Sequence, residues 1–182
     1  MLLDSTICDF GWQAPNFSLK DADGNAYTLS EHLGDKGSLI MFICNHCPYV
    51  QRIAERLAED TKQLMSEGIN VLAVMSNDYR TVAEDSPANM KLFAKKHAFE
   101  FPYLVDENQV VGKQYKAVCT PDFFGFNHRG ELQYRGRLDD ARMGEASVRT
   151  PELINAMRLI AATDLGPKEQ VPSMGCSIKW RN

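Results

Sequence analysis

The sequence predicts an α/β chain: a central mixed β-sheet flanked by helices, with an N-terminal β-hairpin and a C-terminal tail. Two segments, Ser38-Leu39-Ile40-Met41-Phe42-Ile43 and Ile69-Asn70-Val71-Leu72-Ala73-Val74-Met75, are apolar almost throughout. That is the pattern of strands covered on both faces of a parallel sheet. The stretch between them carries apolar residues at helical spacing, so strand, helix and strand alternate. Later, an apolar run from Val118 to Phe126 meets a turn at Asn127-His128-Arg129-Gly130. It returns over Leu132 to Arg137, which adds an antiparallel pair.

At 182 residues the expectation is one domain, 1–182, whose last part, 167–182, is an irregular tail. The composition, 44% hydrophobic and 24% charged, is that of an ordinary soluble protein. A formal net charge of -4 gives no basis for a nucleic-acid or anionic-membrane partner. No apolar run approaches the ~20 residues that span a bilayer. Met1-Leu2-Leu3-Asp4-Ser5 lacks the basic start and apolar core of a signal peptide. Five cysteines are an odd number without the density of a disulfide scaffold. A catalytic pair in a reducing cytoplasm fits them better.

The elements follow in order. Asn16-Phe17-Ser18-Leu19 alternates as a strand, Asp21-Ala22-Asp23-Gly24 turns, and Ala26-Tyr27-Thr28-Leu29 returns. Ser30 with Glu31 is expected to cap a short helical turn. The acids nearby lack a full calcium-loop pattern. Past the first core strand, Val50, Ile53, Ala54, Leu57, Ala58, Leu64 and Met65 mark one face of a helix. Arg52, Glu55, Arg56, Glu59 and Lys62 mark its solvated face, and Gly68 ends it. Residues 78–85 read as a polar loop. Ser86-Pro87 starts a second helix with Met90, Phe93 and Ala94 inward. Phe101 to Val105 reads as a strand and Gln109 to Lys116 as a short helix. Thr150-Pro151-Glu152 opens a last helix, with Leu153, Ile154, Met157, Ile160 and Ala161 inward, and Gly166-Pro167 closes it.

The chemistry centres on Cys44-Asn45-His46-Cys47-Pro48. A strand that stops at Cys-x-x-Cys and feeds a helix sets both sulfurs near amide N–H groups without intrahelical partners. The helix dipole there favours a thiolate, and such cysteines fall to roughly pH 3.5–7.5. Pro48 suits the first helical turn. Cys44 is expected to be the exposed, low-pKa attacker and Cys47 the buried resolving thiol. His46 between them would stabilise the thiolate. A metal site is not expected, since zinc takes about four ligands and His32, His97, His128, Cys8, Cys119 and Cys176 are scattered. Inert packing of two small residues is the other alternative.

Three features resemble the thioredoxin fold in its redoxin form, the branch of peroxiredoxins and membrane-tethered thiol reductases. They are Cys44-Asn45-His46-Cys47-Pro48 after the first core strand, the inserted segment between Met75 and Phe101, and Thr120-Pro121 before a hairpin strand. The resemblance covers about Ala14 to Ala162. More narrowly, Phe42 to Val50, Cys119-Thr120-Pro121-Asp122-Phe123-Phe124 and Gly175-Cys176-Ser177-Ile178-Lys179-Trp180 resemble the peroxiredoxin-like thioredoxin-family proteins of bacteria. The resemblance implies a cis proline at Pro121 facing the cysteines. X-Pro bonds take cis at only about 0.5–1 kcal/mol. It also places Asn45, Pro48 and Thr120 at the substrate, with the Thr120 backbone free to pair with a client chain as a strand.

The resemblance to peroxiredoxins is incomplete. Their peroxide site has a threonine three residues before the peroxidatic cysteine and a proline further back. Aligned on Cys47, those positions hold Cys44 and Ile40; aligned on Cys44, they hold Met41 and Gly37. Dithiol–disulfide exchange is therefore the expected activity, without a cofactor. Its expected partners are a disulfide-bearing protein or low-molecular-weight thiol and a thiol reductant system. A thiol-dependent peroxidase, a copper or zinc carrier and a redox-inert binding module are the alternatives. Cys119, two positions before Pro121, and Cys176, in a tail with Trp180, are candidate auxiliary redox cysteines. Arg135 and Arg137 are expected to be surface charges rather than peroxide ligands.

Overall fold

A computed structural model describes Met1–Asn182. The chain forms β1 (Leu2–Asp4), β2 (Ser18–Asp21), β3 (Ala26–Thr28), β4 (Ser38–Phe42), α1 (Pro48–Ser66), β5 (Asn70–Met75), α2 (Pro87–Lys96) and β6 (Tyr103–Val105). Then follow α3 (Val110–Gln114), β7 (Cys119–Thr120), β8 (Asp122–Phe126), β9 (Leu132–Tyr134), α4 (Glu152–Thr163) and β10 (Met174–Ser177). The main sheet runs β3-β2-β6-β5-β4-β8-β9. β4–β5 and β5–β6 are parallel and the other pairs antiparallel, so the sheet is mixed.

β4 lies inside this sheet, and period-two alternation divides its side chains between two apolar layers. Leu39, Met41 and Ile43 meet Val50, Leu57, Met157 and Ile160 on the side of α1 and α4. Ile40 and Phe42 meet Leu72, Val74, Phe124 and Tyr115 on the other side. Burying one such side chain is worth about 1.5–3 kcal/mol, so β4 is held from both faces. Two features of this frame position the sulfurs. β4 delivers the chain to the start of α1, and β8 pairs with it in the register Phe42↔Asp122, directly after Pro121.

Four sequence expectations are corrected. The tail over 167–182 is not irregular: β10 is the middle strand of a second sheet, β1-β10-β7. Met174-Gly175-Cys176-Ser177 has no β-branched or alternating signal, and its two neighbours supply the strand pairing. Arg135 is not a surface charge; it is buried, pairs with Asp122 at 3.0 Å and lies 4.3 Å over the Phe124 ring. Arg137 pairs with Glu152 at 2.6 Å and is mostly covered. Ser30 caps nothing, since the 3-10 turn spans Leu29–Glu31 with Thr28 before it and no side-chain cap. The stretch 78–85 is a loop, but it buries Asp78 and Asp85 and closes with a 3-10 turn at Ala83–Asp85.

Candidate active site

Ile43 still bonds the sheet through its N–H to Val74 O at 3.1 Å. The chain then leaves β4, and α1 begins at Pro48, with Cys47 as the residue before the helix. A proline there gives up no hydrogen bond and presets the helical φ. Cys44 Sγ lies 3.3 Å from Thr120 Oγ1 and 3.6 Å from His46 Nδ1. The Cys47 thiol donates to Thr120 O at 3.2 Å. The Thr120–Pro121 peptide is cis. The fold thus brings Cys44, His46, Cys47 and Thr120-Pro121 together across a sequence gap of more than seventy residues.

Other expected site residues stand differently. Asn45 does not face a substrate: its amide is locked inside the fold, donating to Glu84 O at 2.9 Å and accepting from Tyr103 OH at 2.9 Å. The Thr120 backbone edge is not free either, because β10 pairs with it in the register Cys176↔Thr120. The chain's own tail occupies the strand position expected for a client. Cys119 is buried, and its thiol donates to Pro121 O at 3.5 Å. Burial pushes that thiol far above its ordinary value. Cys176, by contrast, packs against the apolar layer that contains Cys44 and Cys47.

Asp85 is the residue that sequence reasoning missed. Its carboxylate is fully buried, and four donors converge on it: Asn45 N at 2.8 Å, His46 N at 3.1 Å, His46 Nδ1 at 2.5 Å and Asn77 Nδ2 at 2.8 Å. Burial alone would raise its pKa; the His46 and Asn77 hydrogen bonds outweigh it and hold the carboxyl below its ordinary value. His46 is pushed up in turn, chiefly by its hydrogen bond to Asp85. The sequence signal was faint: an acid just before the Ser86-Pro87 helix start, which by itself reads as loop.

The two sulfurs are coupled, and the hydrogen bond between them lowers the pKa of Cys47 while raising that of Cys44. Cys47 is lowered chiefly by its hydrogen bond with Cys44, against the opposing effect of burial, and the Val50 N–H at the start of α1, the Thr120 hydroxyl and the Cys176 thiol act in the same direction. Cys44 is pushed up because it gives its hydrogen to Cys47, is buried, and faces the Asp85 carboxylate. Both sulfurs are 0% exposed. The expectation of an exposed, low-pKa Cys44 is therefore reversed. Cys44 lies inside the apolar layer against which Cys176 packs.

Cys44, His46 and Asp85 offer ligand atoms within 4.8 Å of one another. A metal there would have to displace the His46–Asp85 hydrogen bond and compete with three further donors on the same carboxylate, so the residues fit a hydrogen-bonded cluster better than an ion.

Residues 10–135, well over half of the chain, match the AhpC/TSA family. The chain belongs to the AhpC/TSA family. Among its relatives is the thiol-disulfide oxidoreductase ResA of Halalkalibacterium halodurans, 25% identical over 71% of this chain and 69% of that protein. Peroxiredoxin Q of Triticum aestivum is 29% identical over 61% of this chain, and the match spans only 46% of the plant protein. A solved structure of an uncharacterized conserved protein from Geobacillus kaustophilus superposes with a TM-score of 0.94 at 40% identity, covering 100% of this chain and 97% of that one. Thioredoxin-fold disulfide oxidoreductases are among the structural neighbours, and the fold of this AhpC/TSA member is thioredoxin-like.

Proposed function

We propose that this chain is a thiol-disulfide oxidoreductase that cycles Cys44 and Cys47 between dithiol and disulfide. The observation that carries it is the sulfur pair at the start of α1, facing Thr120 and the cis Pro121, with the pKa of Cys47 lowered by its hydrogen bond with Cys44. A thiolate is the attacking species in disulfide exchange. Oxidation of the Cys44–Cys47 dithiol to its disulfide would pass two electrons to a disulfide-bearing protein or low-molecular-weight partner, and a thiol reductant would restore the dithiol. The relationship to ResA supports this reading. No helix is long and apolar enough to cross a membrane; the cytoplasm, with its thiol reductants, is the proposed site of action. His46 and Pro121 belong to the working site and Pro48 sets the start of α1.

The test is a redox titration in glutathione buffers with mass mapping of paired cysteines. One two-electron couple with a Cys44–Cys47 disulfide is expected, lost in Cys44→Ser and in Cys47→Ser. Failure of those two to pair at any potential would overturn the reading. A second reading, a thiol peroxidase acting at Cys47, is favoured by the lowered pKa of that thiol, to which the Thr120 hydroxyl contributes, although the 3.3 Å contact of that hydroxyl is with Cys44 Sγ. Sulfenate trapped on Cys47 after peroxide, at rates well above those of a free thiol, would decide for it.

A further inference from the structure

Cys44 and Cys47 have no exposed surface, yet an exchange centre must meet its partners. β10 runs beside them, with Cys176 packed against the apolar layer that holds both. Gly175 and Cys176 run along the Thr120 edge, close enough that a Cβ on Gly175 would sit 1.9 Å from Thr120 O and 3.1 Å from Pro121 Cδ. The strand is fastened on every side. Ser173 Oγ donates to Pro121 O at 2.7 Å before it, and Ser177 N donates to Met1 O at 2.8 Å. Beyond it, Ile178 is buried and Lys179 N donates to Asn77 Oδ1 at 2.8 Å. Between these fastenings sits Cys176. It pairs in register with Thr120, whose carbonyl lies 3.2 Å from Cys47 Sγ, and packs against the layer that holds Cys44 and Cys47; unlike them it is only partly covered.

We infer that Cys176 is a third redox residue, the sulfur through which an external low-molecular-weight thiol reduces the buried Cys44–Cys47 disulfide. This deepens the proposed exchange activity and rests on it. In the first step the Cys176 thiolate attacks Cys47 Sγ. The Cys176–Cys47 bond forms, the Cys44–Cys47 bond breaks, and Cys44 leaves with the electron pair and takes up the proton that Cys176 gave. Next, an external thiolate attacks the partly exposed Cys176 Sγ. The new mixed disulfide forms, the Cys176–Cys47 bond breaks, and Cys47 departs as a thiolate. A second external thiolate then attacks the outer sulfur of the mixed disulfide and releases Cys176. Two external thiols become one disulfide, and the protein disulfide becomes two thiols.

Two measurements test the relay. Fully oxidised wild-type protein and Cys176→Ser are mixed with reduced glutathione, quenched by alkylation and read by mass. The serine variant should regain its Cys44 and Cys47 thiols more slowly by about ten-fold or more, because direct attack on covered sulfur is all that remains. Cys44→Ser, oxidised gently at neutral pH, should accumulate a Cys47–Cys176 disulfide. Equal reduction rates together with a free Cys176 in oxidised Cys44→Ser would overturn the relay while leaving Cys44–Cys47 exchange intact. Absence of any Cys44–Cys47 disulfide in the starting material would overturn the parent reading and the relay with it.

Discussion

Asp85 does for this site what a sequence motif could not announce: it fixes the backbone of the Cys-x-x-Cys loop and the charge of its histidine together. Asp85→Ala leaves the Asn45 and His46 N–H groups and the Asn77 amide without their acceptor. Breaking a buried charged cluster costs about 3–5 kcal/mol, and a loss in that range is expected in denaturant unfolding near neutral pH. The pH dependence has a definite sign. Asp85 is held below its ordinary value, so its contribution is present above that value and is lost as pH falls through the folded one. His46 is raised, so its contribution is full below the ordinary imidazole value and is lost as pH rises through the folded one. The stability gap between wild type and variant should therefore be widest between those limits and narrow at both ends. A gap independent of pH would mean that Asp85 acts only as a neutral acceptor. Cys44, His46, Cys47, Pro48 and Thr120-Pro121 were legible because each signal is local: a spacing, a proline, a strand feeding a helix. Asp85 was not, because its meaning arises from partners 39 and 40 residues away in sequence.

At the scale of elements, β4, α1, β5, α4 and the β8–β9 hairpin were legible from apolar periodicity and turn residues. β1 and β10 were not. Their residues carry no strand pattern; β10 pairs with β7 at Cys119–Thr120, and β1 pairs with β10. The lesson is physical: β10 is held by backbone contact, and backbone contact leaves little trace in side-chain pattern except a glycine. Gly175 is that trace, since any Cβ there would meet the Thr120 carbonyl at 1.9 Å and its carbon at 2.6 Å. These are backbone atoms, which cannot swing aside as a flexible side chain can. Gly175→Val should therefore lift β10 from β7 while the main sheet, which does not include β10, persists. The expected readout is faster alkylation of Cys47 by iodoacetamide at neutral pH, by about ten-fold or more, as a locally opened segment admits reagent. An unchanged alkylation rate in a folded variant would show that β10 is not what shields the thiols.

Across the whole molecule, the two sheets divide the labour. The larger one carries the apolar layers and fixes where α1 begins; the smaller one, β1-β10-β7, joins both ends of the chain beside Thr120. Its far anchor is Trp180, whose ring lies against Gly112 and takes Lys113 Nζ at 5.7 Å from its centre, while Arg181 pairs with Asp78 at 3.1 Å. Trp180 is 38% exposed, so its removal should cost less than the about 3–5 kcal/mol of a fully buried tryptophan, roughly 2 kcal/mol. If the smaller sheet opens as its own unit, that loss falls on local opening and not on global unfolding. Amide hydrogen exchange in Trp180→Ala should then quicken together over Leu2–Asp4 and Met174–Ser177, whose strands share hydrogen bonds. Exchange over Ser38–Phe42 and Asn70–Met75, at the centre of the main sheet, should keep its wild-type rate. Uniform acceleration across both sheets would instead make the tail part of a single cooperative unit, and the cover over Cys44 and Cys47 would open only when the whole protein does.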